Sequence, residues 1–230
     1  MCRFAFRHIV VTSGLVLALS SVPVQADTAL WRQGINLIPY PQQVEMGGEN
    51  FRFAGVVNIL LEGSAPEADR FAAAELARSL GELYGIESEV GGRASGPSIR
   101  LTGEGSPAEG YGQGYALSVD PDGITVRGQG PGLFYGTRSL VQLIRKGRGG
   151  WMVPGMEIID WPDIRYRAAH YDTKHHQDKA GYVREFIRDL ADYKINILLW
   201  EWEDKFAYES HPEIGAPGAF TPDEMREFTR

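Results

Sequence analysis

Apolar residues recur at helical spacing in three stretches of this chain, residues 68–83, 132–146 and 180–193. Ser64 precedes the first stretch and has Glu67 three residues on, which is the pattern of a capping box. Thr221 and Glu224 repeat that pattern, with a proline between them at the first helical position, and predict the start of a fourth helix. Each helix is expected to bury its apolar face against another element of the fold.

Short apolar or alternating runs predict strands at residues 51–53, 56–61, 86–90, 98–102, 115–120 and 124–127. Pro121-Asp122-Gly123 separates the last two runs and predicts a hairpin. The order of strands, helix, hairpin and helix predicts an α/β sandwich domain over residues 27–150, a small sheet with two helices on one side. Residues 147–150 are polar and glycine-rich, and we interpret them as a flexible link and a domain boundary.

The remaining residues, 151–230, alternate strand and helix in the rhythm of a TIM barrel. A strand is predicted over 164–172, and a second at the apolar run 195–199 is expected to be buried on both faces. Only two β/α repeats are present where a (β/α)8 barrel has eight. The expectation is therefore an incomplete barrel in a truncated sequence, whether natural or an artefact of the record.

Residues 1–26 have the pattern of a secretory signal: a basic start, an apolar core over residues 9–19, and cleavage near Ala26. We expect an exported protein, periplasmic or extracellular, and no membrane span. Cys2, the chain's single cysteine, lies within this signal, so the mature protein has no thiol chemistry. A net charge of −7 argues against a nucleic-acid partner.

No cofactor or metal is predicted. The loop Gly128–Gly132 follows a strand and opens a helix, but it lacks the full dinucleotide fingerprint and has no acidic residue about 20 positions on. His170, His175 and His176 suggest a metal with Asp172, yet adjacent histidines point apart and no further ligand spacing is evident. A tight turn and ordinary polar residues are the favoured interpretations.

The candidate chemistry lies at the end of the last strand. Glu201, Glu203 and Asp204 are interleaved there with Trp200 and Trp202. Carboxyl ends of barrel strands are where active sites collect, and carboxylates with indoles suit a sugar's hydroxyls and its C–H face. The simpler alternative is a solvated strand end with the tryptophans in the core. Strand alternation would place the two glutamates on one face and Asp204 on the other.

Several segments, in this order and spacing, resemble the β-N-acetylhexosaminidases of glycoside hydrolase family 20. The segments are Leu37-Ile-Pro-Tyr-Pro, Tyr115-Ala-Leu-Ser-Val, Gly132-Leu-Phe-Tyr-Gly-Thr-Arg and Asp160-Trp-Pro-Asp-Ile-Arg-Tyr-Arg167. The resemblance covers nearly all of residues 36–230. It implies an exo-acting enzyme that removes terminal N-acetylhexosamine by a substrate-assisted retaining mechanism, in which the substrate's acetamido oxygen is the nucleophile. The chain alone would then be inactive, since the family's Asp-Glu dyad lies on the fourth barrel strand, expected beyond residue 230.

The resemblance also implies substrate-binding roles. Arg167 matches an arginine that grips the sugar's hydroxyls, with a salt bridge to Asp160 or Asp172 as the alternative. Asp172 and Lys174 either bind substrate or only pair with each other, and Glu201, Glu203 and Asp204 complete the set of candidates. We expect Arg167 and the acidic residues to share one pocket. Positions at opposite ends of the two strands would remove that pocket and, with it, the glycosidase assignment.

The chain departs from the usual family pattern where Ala168 replaces a glycine and where Lys174 and His175 stand in place of an arginine-histidine pair. Its second-strand segment is similar to the hexosaminidase D branch, so GlcNAc and GalNAc both stay open as the preferred sugar. The alternatives are another barrel glycosidase with the same accessory domain, such as an α-glucuronidase or an O-GlcNAcase-like enzyme, and a non-catalytic carbohydrate-binding fragment.

Overall fold

The computed structural model describes residues 29–91, 96–107 and 111–229, so the predicted signal over residues 1–26 lies outside the described residues. The helices are α1 (Ala29–Arg32), α2 (Glu67–Tyr84), α3 (Pro131–Leu143), α4 (Ala180–Asp192) and α5 (Pro222–Phe228). The strands are β1 (Gln43–Met46), β2 (Phe51–Arg52), β3 (Val57–Leu61), β4 (Ser88–Val90), β5 (Ser98–Thr102), β6 (Tyr115–Asp120), β7 (Gly123–Gly128), β8 (Arg145–Gly147), β9 (Gly150–Val153), β10 (Met156–Asp160), β11 (Ala168–Asp172) and β12 (Ile197–Glu201). Within these ranges, no helix combines the length and the apolar character that crossing a bilayer requires.

Seven strands form one mixed sheet in the order β1-β10-β6-β7-β5-β3-β4. The four strands from β1 to β7 are antiparallel neighbours, and those from β7 to β4 are parallel. Helices α2 and α3 contact each other and the sheet, and the core between them is fully buried at Ile59, Ile99, Leu117 and Leu140. The predicted hairpin is β6–β7. This part of the chain is the predicted α/β sandwich.

Helix α3 packs unusually close to the sheet because it carries glycine where side chains would collide. A Cβ built on Gly136 would overlap Cγ1 of Val126 and lie 3.1 Å from Cδ2 of Tyr115. Tyr115 is 1% exposed, so it has no room to retreat. The close approach explains why a glycine interrupts the apolar stripe of this helix.

The predicted link at residues 147–150 is instead a hairpin. Gly147 and Gly150 are register partners of β8 and β9, and a small three-stranded sheet forms in the order β2-β9-β8. Strand β10 then returns to the large sheet between β1 and β6. The large sheet therefore ends ten residues later than the boundary predicted at residue 150, because backbone pairing with distant strands overrides the local glycine signal.

Strands β11 and β12 are parallel and are joined through α4, which gives one complete βαβ unit. The structure corrects the expectation that β12 is buried on both faces: Ile197 is 39% and Leu199 61% exposed. Their neighbours Leu198 and Trp200 are less exposed, and Trp200 packs against rings of α5 and its preceding loop. Only one face of the strand pair is covered among the described residues.

A buried ion pair joins this unit to the large sheet. Nζ of Lys194 lies 2.8 Å from Oδ2 of Asp160 and donates to the hydroxyl of Tyr115 at 3.0 Å, and that hydroxyl is 2.7 Å from Oγ of Ser139. Burial lowers the pKa of Lys194, and the charge of Asp160 offsets part of that effect. The pair thus fixes the amino-terminal side of β12 against the end of β10.

Candidate functional site

Two acidic residues meet at the carboxyl ends of the parallel strands. Asp172 ends β11 and Glu201 ends β12, and the two are register partners. Register partners on parallel neighbours point to the same side of a sheet, and here that side is the one without helices. Asp172 is exposed and Glu201 half-buried. The structure therefore brings together two of the residues that the sequence singled out.

Lys174 links these two carboxylates. Its Nζ lies 2.7 Å from Oε1 of Glu201 and 3.6 Å from Oδ2 of Asp172, and its backbone N–H donates to Oδ1 of Asp172 at 2.9 Å. His170 adds a fourth group, with Nε2 3.0 Å from Oε2 of Glu201. We call His170, Asp172, Lys174 and Glu201 the rim cluster.

Both carboxylates of the rim cluster are held in the charged form. The hydrogen bond from Lys174 lowers the pKa of Glu201, and the backbone N–H of Lys174 lowers the pKa of Asp172. The same contact with Glu201 raises the pKa of Lys174. A carboxylate with a lowered pKa is a poor proton donor near neutral pH, whereas it accepts hydrogen bonds from hydroxyls well. The rim cluster is suited to binding a polar ligand rather than to acid catalysis.

Thr173 holds the two strand ends together, and the sequence analysis missed it. Its backbone N–H and its Oγ1 both donate to the carbonyl of Glu201, at 3.0 and 3.1 Å, and Oγ1 accepts from Nε1 of Trp200 at 3.3 Å. The residue is fully buried. Its only signal in the sequence is its place between Asp172 and Lys174, which does not separate it from an exposed threonine.

Glu203 and Asp204 do not continue the strand. Residues Glu203–Lys205 form a 3-10 turn, and Glu203 has a φ of 43°, so the alternation predicted for these positions does not apply. Asp204 pairs with Nζ of Lys205 at 2.6 Å. Glu203 is exposed, and its charge contributes to the raised pKa of Lys174. Glu203 therefore belongs beside the rim cluster, while Asp204 is occupied by its neighbour.

Arg167 lies at the opposite end of the strands, and the shared pocket that we expected does not form. It precedes β11, and its carbonyl accepts from the backbone N–H of Asn196, just before β12, and from that of Ile197, the first residue of β12. Five strand residues separate this end from the rim cluster, a distance of roughly 16 Å. The physical reason is the direction of the chain, since a residue that enters a strand stands at its amino end.

The guanidinium of Arg167 is also occupied. Nε donates to the carbonyl of Lys194 at 2.7 Å, Nη1 to that of Ile164 at 2.8 Å, and Nη2 to Oε1 of Gln113 at 2.8 Å. Its Cζ lies 5.4 Å from the centre of the Tyr135 ring. The guanidinium thus joins the large sheet to the βαβ unit, and the salt bridge to Asp160 or Asp172 that was the alternative for Arg167 is not formed.

Trp200 and Trp202 are both half-buried and contact each other, with ring centres 6.0 Å apart. Trp200 packs against Tyr171, Phe220 and Phe228 on the helix-covered side, with ring centres 5.3 to 5.6 Å apart. Trp202 packs against Phe206 and donates to the hydroxyl of Tyr208.

In the part of the chain that the structure describes, no group of three or more His, Cys, Asp or Glu side chains is arranged to hold a metal ion.

Comparisons with known proteins define the class of protein that this chain is similar to, since both relatives described here are β-hexosaminidases. The chain is 26% identical over 216 residues to a β-hexosaminidase of Porphyromonas gingivalis, which covers 90% of this chain and 28% of that protein. It is 28% identical over 224 residues to a β-hexosaminidase of Vibrio furnissii, covering 93% of this chain and 34% of the relative. The chain thus spans about a third of the length of these curated relatives.

The particular family follows from a domain match and a solved structure. A family model described as glycosyl hydrolase family 20, domain 2, matches residues 34–161, which end just after β10. A mutant β-hexosaminidase of Streptomyces plicatus, solved in complex with its product GlcNAc, is 26% identical with a TM-score of 0.70, covering 84% of this chain and 42% of that one. This chain belongs to glycosyl hydrolase family 20.

Proposed function

We propose that this chain supplies the α/β sandwich domain and the first two β/α units of the catalytic barrel of an exo-β-N-acetylhexosaminidase. One observation carries the proposal: the rim cluster, poised for hydroxyl binding, lies at the carboxyl ends of two parallel strands that directly follow a family-20 domain. That edge is where barrel enzymes bind their substrates. The complex of the Streptomyces plicatus relative with GlcNAc supports a terminal N-acetylhexosamine as the ligand.

The residues of this chain would bind the sugar, and the reacting groups would come from elsewhere. In a substrate-assisted mechanism the sugar's acetamido oxygen attacks the anomeric carbon, and the protein supplies an acid for the leaving oxygen. The rim carboxylates have lowered pKa values and do not fit that acid. The single Asp-Glu pair of the sequence, Asp223-Glu224, is engaged at the start of α5 with Arg226 and Thr221. The acid is therefore proposed to lie outside these 230 residues.

Export forms part of this proposal. Residues 1–26 have the three-part pattern of a secretory signal, and a glycosidase that acts on polymeric or glycoconjugate substrates meets them outside the cytoplasm. Amino-terminal sequencing of the protein secreted by its host is expected to begin at Asp27. Retention of residues 1–26 in the secreted product would contradict export by cleavage.

The first test of the enzymatic proposal uses the purified chain with a chromogenic β-N-acetylglucosaminide. No turnover is expected, because the described carboxylates near the substrate edge are binding groups. Clear hydrolysis would refute the placement of the acid outside this chain. The alternative, a non-catalytic carbohydrate-binding product, is tested by calorimetry with free GlcNAc on the same sample. Saturable binding without turnover would favour it.

The second test reads the DNA downstream of codon 230. We expect further strand-helix repeats with an Asp-Glu pair, and an extended protein that hydrolyses the chromogenic substrate. In that protein Glu201→Gln should raise KM with a smaller change in kcat, whereas Glu213→Gln, on the exposed loop before α5, should change neither. A reading frame without further repeats would contradict the hexosaminidase proposal.

A further inference from the structure

The small sheet β2-β9-β8 carries arginines on one side, although the whole chain has a net charge of −7. Arg52 and Arg145 are both register partners of Met152, one on each side of it, so the three side chains point the same way. Phe51 and Val153 point the other way and are buried in the core. Arg52 is exposed and Arg145 half-buried, so the arginine side of this sheet faces solvent.

Arg148 adds a further exposed guanidinium next to that of Arg52. It lies in the turn between β8 and β9. The side chain of Arg52 reaches the same turn, since a Cβ built on Gly149 would lie 3.3 Å from Nη1 of Arg52. Like charges gathered at one turn repel each other, and a bound anion would relieve that repulsion.

The end of α1 brings another cation and an exposed indole beside Arg145. Nη1 of Arg145 donates to the carbonyl of Gln33, directly after α1, at 3.3 Å. Leu30 anchors α1 in the core and is fully buried, whereas Arg32 is exposed and Trp31 is 67% exposed. We call Arg32, Arg52, Arg145 and Arg148 the basic face, with Trp31 at its edge.

The exposed arginines of the basic face form no ion pair and no side-chain hydrogen bond with any residue that the structure describes. Glu49 is the acidic residue closest to β2 along the chain, but its carbonyl would lie 2.6 Å from a Cβ built on Gly155, at the far end of β9 from the turn. The carboxyl end of α3 attracts Arg145, and this attraction fades within the last helical turn. The charges around the hairpin turn are therefore available to a ligand.

The chemistry of the basic face suits a ligand that carries several carboxylates on a sugar backbone. A guanidinium presents a planar fork of donors that matches a carboxylate with two parallel hydrogen bonds. Arg52 and Arg145 lie two strand spacings apart, roughly 10 Å, so carboxylates in a row can reach more than one arginine. The indole of Trp31 offers a flat apolar surface for the C–H face of a sugar ring.

The charge of the remaining surface limits the size of the partner. With a net charge of −7, the surface outside the basic face repels an extended polyanion such as a nucleic acid or an anionic bilayer. A short acidic stretch that touches only the basic face avoids that repulsion.

We propose that the basic face binds acidic glycans, with uronic acid carboxylates paired to the arginines and a sugar ring packed on Trp31. Binding there would attach the protein to a uronate-bearing polysaccharide and leave the rim cluster free. The site uses only residues of the sandwich domain, so it is independent of the proposed glycosidase function.

The test is isothermal titration calorimetry of the purified chain at low ionic strength, with hexagalacturonate as the probe. We expect saturable binding that weakens as salt is added, because ions screen exposed charges. Arg52→Gln and Arg148→Gln, both at exposed positions, should each weaken binding about tenfold. The matched control is Arg70→Gln, an exposed arginine of α2, which should bind the probe as the unaltered chain does.

Trp31→Ala separates ring packing from charge. It should weaken binding about threefold and leave the salt dependence unchanged, whereas Arg52→Gln should reduce both the affinity and its salt dependence. An unchanged affinity in Trp31→Ala would overturn the recognition of a sugar ring.

Two further probes separate glycans from other anions. The fully methyl-esterified hexagalacturonate, with the same rings and no charge, should not bind measurably, and phosphatidylserine vesicles should not retain the protein in the same buffer. The proposal is overturned if hexagalacturonate gives no saturable heat, if its ester binds as tightly, or if the vesicles retain the protein. It is also overturned if Arg52→Gln and Arg148→Gln both bind hexagalacturonate unchanged.

Discussion

At the scale of single residues, the site is defined by which charges neutralise each other. Lys174 serves two carboxylates at once, so Asp172 and Glu201 share one cation and keep acceptor capacity for a ligand. Lys194 does the opposite at the buried joint, where its ammonium is used by Asp160 and Tyr115 and is closed to solvent. These two lysines of the βαβ unit therefore differ in role because they differ in exposure: Lys174 neutralises carboxylates at the surface, and Lys194 forms a buried ion pair.

The residue-scale prediction concerns the titration of Glu201. Lys174→Met should raise the pKa of Glu201 back toward its ordinary value of 4.5, because the hydrogen bond from Lys174 is the largest cause of its lowering. A lowered folded pKa gives stability that is present above the unfolded pKa and is lost as pH falls through the folded one. The acid-induced loss of stability that Glu201 causes should therefore become smaller in this variant, and the part due to the hydrogen bond from His170 should remain.

The measurement is an NMR pH titration of the Glu201 side-chain carboxyl carbon, from neutral pH to below the folded midpoint. Lys179→Met serves as the control, since Lys179 is exposed and has no ion pair with Glu201. The control should titrate as the unaltered chain does. An unchanged Glu201 midpoint in Lys174→Met would show that the ion pair does not form in solution.

At the scale of elements, a local sequence pattern predicts a helix cap correctly only where no other residue takes the capping position. The capping box predicted at Thr221 is present, with Oγ1 of Thr221 accepting from the N–H of Glu224 and the Glu224 side chain accepting from the N–H of Thr221. The capping box predicted at Ser64 is wrong, because α2 begins at Glu67 with Pro66 in the capping position and no side-chain cap. Proline takes the place before the first helical residue, so Ser64 stands too far out.

The element-scale prediction compares two helical glycines. Gly136→Ala should destabilise the fold by about 1–3 kcal/mol, because the new methyl group would be forced into Val126 and Tyr115 beneath α3. Gly81→Ala, in α2 with nothing within 4 Å of its Cβ position, should instead stabilise it by about 0.5–1 kcal/mol through helix propensity.

Urea unfolding of both variants, followed by circular dichroism, gives the two free energies of unfolding on one scale. The opposite signs are the informative result, since both changes add the same methyl group to a helix. Equal shifts in the same direction would show that close helix–sheet contact does not decide the cost at Gly136.

At the scale of the whole molecule, Arg167 acts as a connector. It joins Gln113 of the loop before β6 to the carbonyl of Lys194 just before β12, and its own backbone carbonyl begins the β11–β12 pairing. The large sheet and the βαβ unit are therefore held at the amino ends of the strands, which leaves the rim cluster at the other end accessible. The contacts that join the two units and the proposed binding edge therefore lie at opposite ends of the same two strands, and barrel enzymes separate stability from binding in this way.

The molecule-scale prediction follows from this role. Arg167→Met should loosen β11 and β12, with amide hydrogen exchange there at least about tenfold faster, while the amides of β5 and β7 keep their protection. Each charged hydrogen bond that is lost contributes about 1.5–3 kcal/mol. Arg165→Met is the matched control, because Arg165 is exposed and its guanidinium lies over the ring of its neighbour Tyr166.

Exchange is followed by mass spectrometry on peptides that cover both regions. Uniformly faster exchange across the large sheet and the strand pair would contradict a connector and indicate a general loss of stability. Unchanged protection of β11 and β12 would show that the contacts of Arg167 are dispensable.

The sequence by itself determined the local elements: the hairpin at Pro121-Asp122-Gly123, the cap at Thr221, the helix that becomes α4 and the acidic end of β12. These depend on spacing along the backbone over a few residues, so they can be read from the chain. The family resemblance also came from such short segments, and the domain match bears it out.

Only the tertiary structure decided which of these residues meet. It placed Arg167 at the amino ends of β11 and β12, continued the large sheet through β10 and buried Thr173 between two strand ends. Each of these outcomes depends on pairing between residues far apart in sequence. Such pairing is set by strand order and register across the fold, which local periodicity does not encode.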